Sequence, residues 1–393
     1  MIYLDNAATT APCPEAVDAM DAALRQTWGN PSSVHAAGLA ARTLLTDARA
    51  AVARSLGVRR ETEGHILFTG CGTEADSLAV RGAVYAKRRP EKNGSRGVIL
   101  TTDSEHPAVE EAMRLLEADG FTVCRVPTRG GALDLDFVRA HAAGVILASF
   151  MLVNNESGAL YDVRGAFDAV HAASPDAVTH TDAVQAFGKV RISPAVLGAD
   201  LLSVSAHKIG GPKGVGALYV SAATLRAKRL SPILPGGGQE EGFRSGTENV
   251  PGIAGFAAAC RRLTAHFTED AAAIAAVRAR LLDGIAPLGS AVRVNLPAVP
   301  TDAIFSLTVP GIRSETLLNF FSARGICVSA GSACAARARH VSRAMLAFGL
   351  TEDEADSTIR VSLAPQNTAA DADAFCAALA DACATLQRKE RRG

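Results

Sequence analysis

Between residues 65 and 220 short apolar runs alternate with helical stretches, and this alternation restricts the fold more than any single residue does. The apolar runs span 65–69, 97–102, 121–126, 144–150, 178–181, 201–206 and 214–220, each of strand length and bounded by turn residues. Helical stretches at 74–89, 107–119, 134–143 and 162–173 separate several of them. The pattern predicts an α/β fold: a large domain with a mostly parallel, seven-stranded sheet covered by helices.

The flanks read differently. Residues 1–13 form an extended arm; Pro14 opens a helix to about Trp28, and a second helix runs over 36–56. A glycine-rich loop at 235–247 precedes an alanine-rich helical stretch over 251–283. Short strands at 292–296, 303–309, 326–329 and 358–363 then alternate with helices at 314–324, 341–348 and 368–390, a smaller α+β domain. The expected division is 15–255 for the large domain, with 1–14 and 256–393 forming the small one.

Composition narrows the function. Lys+Arg and Asp+Glu are 40 each, so no basic field points to nucleic acid. The longest apolar run, 145–153, is far short of a membrane span. The first residues read as strand and not as a signal peptide, so a cytoplasmic protein is expected. Eight cysteines without a CxxC pair suggest neither a disulfide framework nor a metal site.

The stretch Ser203-Val204-Ser205-Ala206-His207-Lys208-Ile209-Gly210-Gly211-Pro212-Lys213-Gly214 places a lysine at the end of an apolar strand. Burial lowers a lysine's pKa toward the neutral amine, the form that makes an imine with a carbonyl cofactor. Lys208 is therefore read as the attachment point of pyridoxal 5'-phosphate (PLP); a solvated loop lysine is the alternative. Asp182 closes the run 178–181, where it can pair with a pyridine nitrogen or simply cap a helix. Gln185 follows within reach of the same ring. Gly70-Cys71-Gly72-Thr73 precedes a helix, and free N–H groups there can hold a phosphate together with Ser205 and His207. His106 can stack on a ring or lie on the surface. Asn155, in Asn154-Asn155-Glu156, follows another strand and can touch cofactor or substrate. Arg360, amid strand residues, suits an α-carboxylate if buried.

Cys334 lies in the small-residue stretch Gly331-Ser332-Ala333-Cys334-Ala335-Ala336, with Arg337, Arg339 and His340 just after it. Nearby positive charge favours a thiolate. Cys13, Cys124, Cys260, Cys327, Cys376 and Cys383 read as packing residues, and Cys71 stays ambiguous.

Together these segments resemble the NifS/IscS-type cysteine desulfurases, within the class V aminotransferases of PLP fold type I. The resemblance runs in order from Leu4-Asp5-Asn6-Ala7-Ala8-Thr9-Thr10 through Gly72-Thr73-Glu74, Glu105-His106 and Asn154-Asn155-Glu156. It continues through Asp182-Ala183-Val184-Gln185, Ser205-Ala206-His207-Lys208, Arg244-Ser245-Gly246-Thr247, Gly331-Ser332-Ala333-Cys334 and Ile359-Arg360-Val361-Ser362. It implies Lys208 as the Schiff-base lysine, Asp182 on the pyridine nitrogen, Gln185 on the phenolic oxygen and His106 stacked on the ring. It further implies Gly72, Thr73, Ser205 and His207 on the phosphate, with Thr247 contributed by the other subunit of a homodimer. Asn155 and Arg360 would hold the carboxylate of L-cysteine, and Cys334 would accept its sulfur. The implied activity yields L-alanine and a Cys334 persulfide for an iron–sulfur scaffold or a tRNA-thiolation enzyme. Selenocysteine lyase, an aminotransferase and a non-catalytic scaffold are the alternatives. Leu152 and Cys71 depart from the family's pattern.

Overall fold

The computed structural model describes residues 1–60, 62–87, 97–331 and 341–390. The chain opens with β1 (Ile2–Tyr3), α1 (Pro14–Gln26) and α2 (Ala36–Ser55). Strands and helices then alternate through β2 (Gly64–Thr69), α3 (Gly72–Ala86), β3 (Val98–Thr102), α4 (Pro107–Ala118), β4 (Thr122–Val126), α5 (Leu135–His141), β5 (Val145–Ser149) and α6 (Val163–Ala173). β6 (Val178–Asp182), α7 (Pro194–Leu197), β7 (Leu201–Ser205), β8 (Gly216–Ser221), α8 (Ala222–Arg226) and the long α9 (Val250–Ile285) follow. The remainder comprises β9 (Arg293–Asn295), β10 (Ile304–Thr308), α10 (Ser314–Ser322), β11 (Ile326–Cys327), α11 (Arg343–Phe348), α12 (Glu352–Asp356), β12 (Thr358–Ser362) and α13 (Ala369–Glu390).

Among the described residues seven strands form the large sheet, in the order β2-β8-β7-β6-β5-β3-β4. The sheet is parallel except for β8, which runs against both β7 and β2. Its strands are apolar because both faces are covered: one face packs on the cluster around Leu78, Val109 and Met113, the other on a cluster that includes Phe150, Phe167 and Phe256. α9 packs against α1, α2 and α13 and so ties the two ends of the chain together.

A three-stranded antiparallel sheet, β12-β10-β9, forms the second layer system. The N-terminal arm belongs with it in space: β1 pairs in parallel with β11, and Asp5 bridges Ser362. The strand expected over 326–329 is shorter, because only Ile326 and Cys327 pair with β1, while Ser329 bridges Arg360 instead. The short helices α7, α8 and α12 were not visible as periodic patterns, being only four or five residues long. Among the described residues no helix is long and apolar enough to cross a membrane.

Candidate active site at the carboxyl edge of the large sheet

β2, β3, β5, β6 and β7 point the same way, so their carboxyl ends share one edge, where open α/β sheets bind ligands. The residues singled out from the sequence follow these ends: Gly72 and Thr73 after β2, His106 after β3, Asn155 after β5, Asp182 at the end of β6, and Ser205 and Lys208 after β7. β7 stops at Ser205, and a single 3-10 turn over Ala206–Lys208 turns the lysine into the crevice.

Lys208 donates from Nζ to the main-chain oxygens of Ala7 at 2.6 Å and Ala8 at 2.9 Å. Burial, aided by the charge of Arg360, lowers its pKa to about 8. Asp182 is buried, and burial raises its pKa to about 6 against the opposing effects of the Val184 N–H and Lys208. Its Oδ1 accepts from Val184 N at 2.8 Å, the bond a cap would make, yet residues 184–189 form turns and not a helix. Gln185 donates from Nε2 to Ala7 O at 2.8 Å, leaving its buried Oε1 without a hydrogen-bond partner. His106 caps α4, its Nδ1 accepting from Ala108 N at 3.1 Å. Burial, then the charges of Lys208 and Arg360, push its pKa down to about 4, so the ring is neutral near pH 7.

The anion cradle is built locally. α3 starts at Gly72, which leaves the N–H groups of its first turn unpaired within the helix. A Cβ at Gly72 would come within 3.0 Å of Val184 Cγ2 and 3.4 Å of Ser205 Cβ, so only glycine fits this approach without displacement. Ser205 is buried with its hydroxyl unpartnered. Thr73 is exposed in the first turn, and His207 Nδ1 lies 3.1 Å from Thr9 Oγ1. Thr247 is exposed on the segment before α9. The orphaned Ser205 hydroxyl, the orphaned Gln185 oxygen and the helix start fit a phosphorylated ring such as PLP.

Asn155 and Arg360 meet here from opposite ends of the sequence. Arg360 is 3% exposed; its Nη1 donates to Asn155 O at 2.9 Å and its Nη2 to Asp5 Oδ1 at 2.8 Å. Its Nε has no hydrogen-bond partner. Asn154, not singled out from the sequence, organises the turn: its Oδ1 accepts from the N–H of Glu156 and of Ser157, each at 2.9 Å, and its Nδ2 donates to Ser104 O. Cys334, with Arg337, Arg339 and His340, lies outside the described residues. A cavity of about 470 Å³ adjoins Arg360 and is lined by Glu156, Gly331 and Ser342 among others.

A buried polar group behind Asp182 was missed. His180 is fully buried, with Nδ1 2.8 Å from Ser149 Oγ and Nε2 3.0 Å from Ser203 Oγ. Burial lowers its pKa to about 3, so it stays neutral. Asp76 on α3 lies 3.7 Å from His180, and burial, with the nearby charge of Asp182, holds its carboxyl well above the usual range. Glu105 is likewise raised to about 8 by burial. The sequence signal was a histidine at alternate spacing from Asp182, which places both on one sheet face.

Of the six cysteines read as packing residues, Cys260 and Cys383 are buried, while Cys13, Cys124, Cys327 and Cys376 are only half-buried. Cys13 precedes α1 and Cys327 ends β11, whereas Cys124 lies on the edge strand β4 and Cys376 within α13. Cys71 is exposed. Among the described residues no group of His, Cys, Asp and Glu side chains could hold a metal ion.

The family model for class-V aminotransferases matches residues 2–375. The chain is 39% identical over 378 residues to a cysteine desulfurase of Cereibacter sphaeroides, covering 95% of this chain and 93% of that one. The solved structure of a NifS-like protein superposes with a TM-score of 0.88 at 33% identity, covering 98% of this chain and 99% of the other. The structure of SspA in complex with cysteine superposes with a TM-score of 0.78 at 29% identity, covering 94% of this chain and all of that one (100%).

Proposed function

The chain belongs to the class-V aminotransferase family and is closely related to NifS/IscS-type cysteine desulfurases, and from that premise we propose that it is itself a PLP-dependent cysteine desulfurase. The observation that carries this reading is the convergence of a burial-depressed amine, Lys208, with Asp182 and the Arg360 guanidinium at one sheet edge. When bound, PLP supplies a carbonyl for the lysine and a ring that accepts the electrons of the substrate's Cα–H bond.

The chain's own groups do the rest. Asp182 holds a proton on the ring nitrogen, and Gln185 supports the phenolic oxygen. Gly72, Thr73, Ser205 and His207 receive the phosphate, with Thr247 reaching in from the second subunit of a homodimer. His106 stacks against the ring as a neutral imidazole. Arg360 and Asn155 orient the L-cysteine carboxylate, which replaces Asp5 on the guanidinium fork. Lys208, once released by substrate, takes the Cα proton, for which an amine near neutrality is suited. The Cys334 thiolate attacks the substrate sulfur: an S–S bond forms, the Cβ–S bond breaks, and its electron pair stays with the carbon fragment. Protonation of that fragment gives L-alanine, and Cys334 holds the persulfide for a sulfur-acceptor protein, an iron–sulfur scaffold or a tRNA-thiolation enzyme.

The test incubates purified holoenzyme with L-cysteine and measures alanine by chromatography and the Cys334 persulfide by mass spectrometry. Stoichiometric alanine and persulfide, with persulfide abolished in Cys334→Ala, are expected. 3-Mercaptopyruvate, formed equally by a Cys334→Ala variant, would identify an aminotransferase. Turnover of selenocysteine alone would identify a lyase, and no turnover of either substrate would leave a scaffold.

A further inference from the structure

Three polar side chains cross the centre of the large sheet on the face that α3 covers. Ser149 on β5 pairs in register with His180 on β6, and Asp182 on β6 pairs with Ser203 on β7. His180 sits between the two hydroxyls, with Nδ1 2.8 Å from Ser149 Oγ and Nε2 3.0 Å from Ser203 Oγ. A neutral imidazole has one donor and one acceptor, so the two hydroxyls complete it without charge. Asp76 meets this row from α3, a helix on which Ala75, Leu78 and Ala79 are also buried.

Two acids therefore share this face of the sheet, and their surroundings differ. Asp182 accepts from the Val184 N–H at 2.8 Å and feels the charge of Lys208. Asp76, 2% exposed, has neither kind of help, and its Oδ1 has no hydrogen-bond partner. The Ser203 hydroxyl favours its ionised form, but Asp182 on β6, Glu105 after β3 and the Cys71 thiol before α3 act against it. The His180 imidazole is 3.7 Å away, too far for a hydrogen bond, and both its nitrogens are engaged. A buried carboxylate without a cation or an N–H donor costs more than the neutral acid, and two carboxyls that share a site do not readily ionise together. The negative charge thus falls to Asp182 and the proton to Asp76.

We propose that Asp76 is a positioning residue for Asp182: it stays protonated against the Ser149–His180–Ser203 row, so that Asp182 alone carries negative charge toward the ring nitrogen, from a site that water does not reach. This rests on the PLP reading of the crevice. Asp76 touches neither substrate nor cofactor in this role; it acts through Asp182.

Infrared difference spectra of holoenzyme, parent minus Asp76→Asn, read the proton directly. At about pH 7.5, far above the usual carboxyl range, the parent shows the C=O band of an un-ionised carboxyl that Asp76→Asn lacks. The Glu105 acid is present in both spectra and cancels. Holoenzyme loaded with PLP labelled with nitrogen-15 in the ring gives the second readout, the pH at which the ring nitrogen loses its proton. Asp76→Ala lets water in behind Asp182, where it screens the charge. The ring nitrogen then loses its proton at lower pH, and equilibrium dialysis finds PLP held at least about threefold more weakly. Asp76→Asn keeps the shape and the neutral state, leaves the ring nitrogen as in the parent, holds PLP within about twofold of it, and guards against a folding artefact. Asp182→Asn, the control, moves the ring-nitrogen signal to its unprotonated position. Three results overturn the proposal and leave the PLP reading standing: a parent without the infrared band, an Asp76→Asn variant whose ring nitrogen sheds its proton at lower pH, as loss of a real charge would cause, or an Asp76→Ala variant that matches the parent in both ring-nitrogen titration and PLP affinity. An unmoved ring-nitrogen signal in Asp182→Asn, or a purified protein that holds no PLP, defeats the PLP reading instead, while the infrared band still decides the state of Asp76.

Discussion

Lys208 and Arg360 are two cations facing one site, and their surroundings treat them in opposite ways. Lys208, at the edge of the large sheet, donates, among the described residues, only to the neutral oxygens of Ala7 and Ala8, and burial pulls its pKa to about 8. Arg360, on the small antiparallel sheet, is more buried still, yet it faces the Asp5 carboxylate at 2.8 Å. An ammonium can be discharged by burial; a guanidinium cannot, and must be paired. The first suits a group that exchanges protons, the second a group that holds an anion.

Five measurements can break or sharpen this contrast. The largest effect is expected at Lys208: replacement by Ala or by Arg lowers kcat by roughly 1,000-fold, in the range for a lost proton-transfer group. Rescue by Arg would show that charge, and not a dischargeable amine, is what matters. Arg360→Ala comes next. It leaves Asp5 without its partner and destabilises the fold by about 3 kcal/mol in urea titration. Arg360→Lys retains the charge but raises KM for L-cysteine roughly tenfold through loss of the two-pronged contact; an unchanged KM would remove Arg360 from the substrate site. Ser205→Ala is smaller, weakening PLP binding about fivefold, the scale of one hydrogen bond, as read by equilibrium dialysis.

The smallest effect is a pH slope. Lys208 has its folded pKa near 8, below the 10.5 of an exposed lysine. Between those values the unfolded chain binds a proton that the folded chain does not, so this group makes stability rise with pH across that window. Below about pH 8 the buried ammonium costs its full amount. Lys208→Met removes the increment, and apo-protein unfolding curves at pH 7.5 and 10 that differ equally in parent and variant would contradict the assignment.

Much of this arrangement could be read from the chain. Lys208, Asp182 and Asn155 stand just after apolar runs, and in a parallel sheet such positions converge, so periodicity alone brought them together. The reversed β8 was less evident, although a clue was present. Only residues 206–215 separate β7 from β8, with no helix beyond one 3-10 turn, and a parallel partner needs a longer crossover. His180 and Asp76 could not be paired from sequence. One reads as an interior strand position and the other as one more helix residue, and their 3.7 Å separation depends on how α3 lies across β6. Arg360 posed the same difficulty: its counter-charge, Asp5, sits 355 positions away.

That last distance has a consequence for how the protein is made. Residues 2–8 are synthesised long before their partners at 326–327 and 360–362. Contacts of such separation form late because the loop they close must be ordered first. The arm that supplies acceptors to Lys208 and a counter-charge to Arg360 therefore waits for residues 326–362. A chain lacking residues 326–362 would carry all seven strands of the large sheet but leave the arm without its partners.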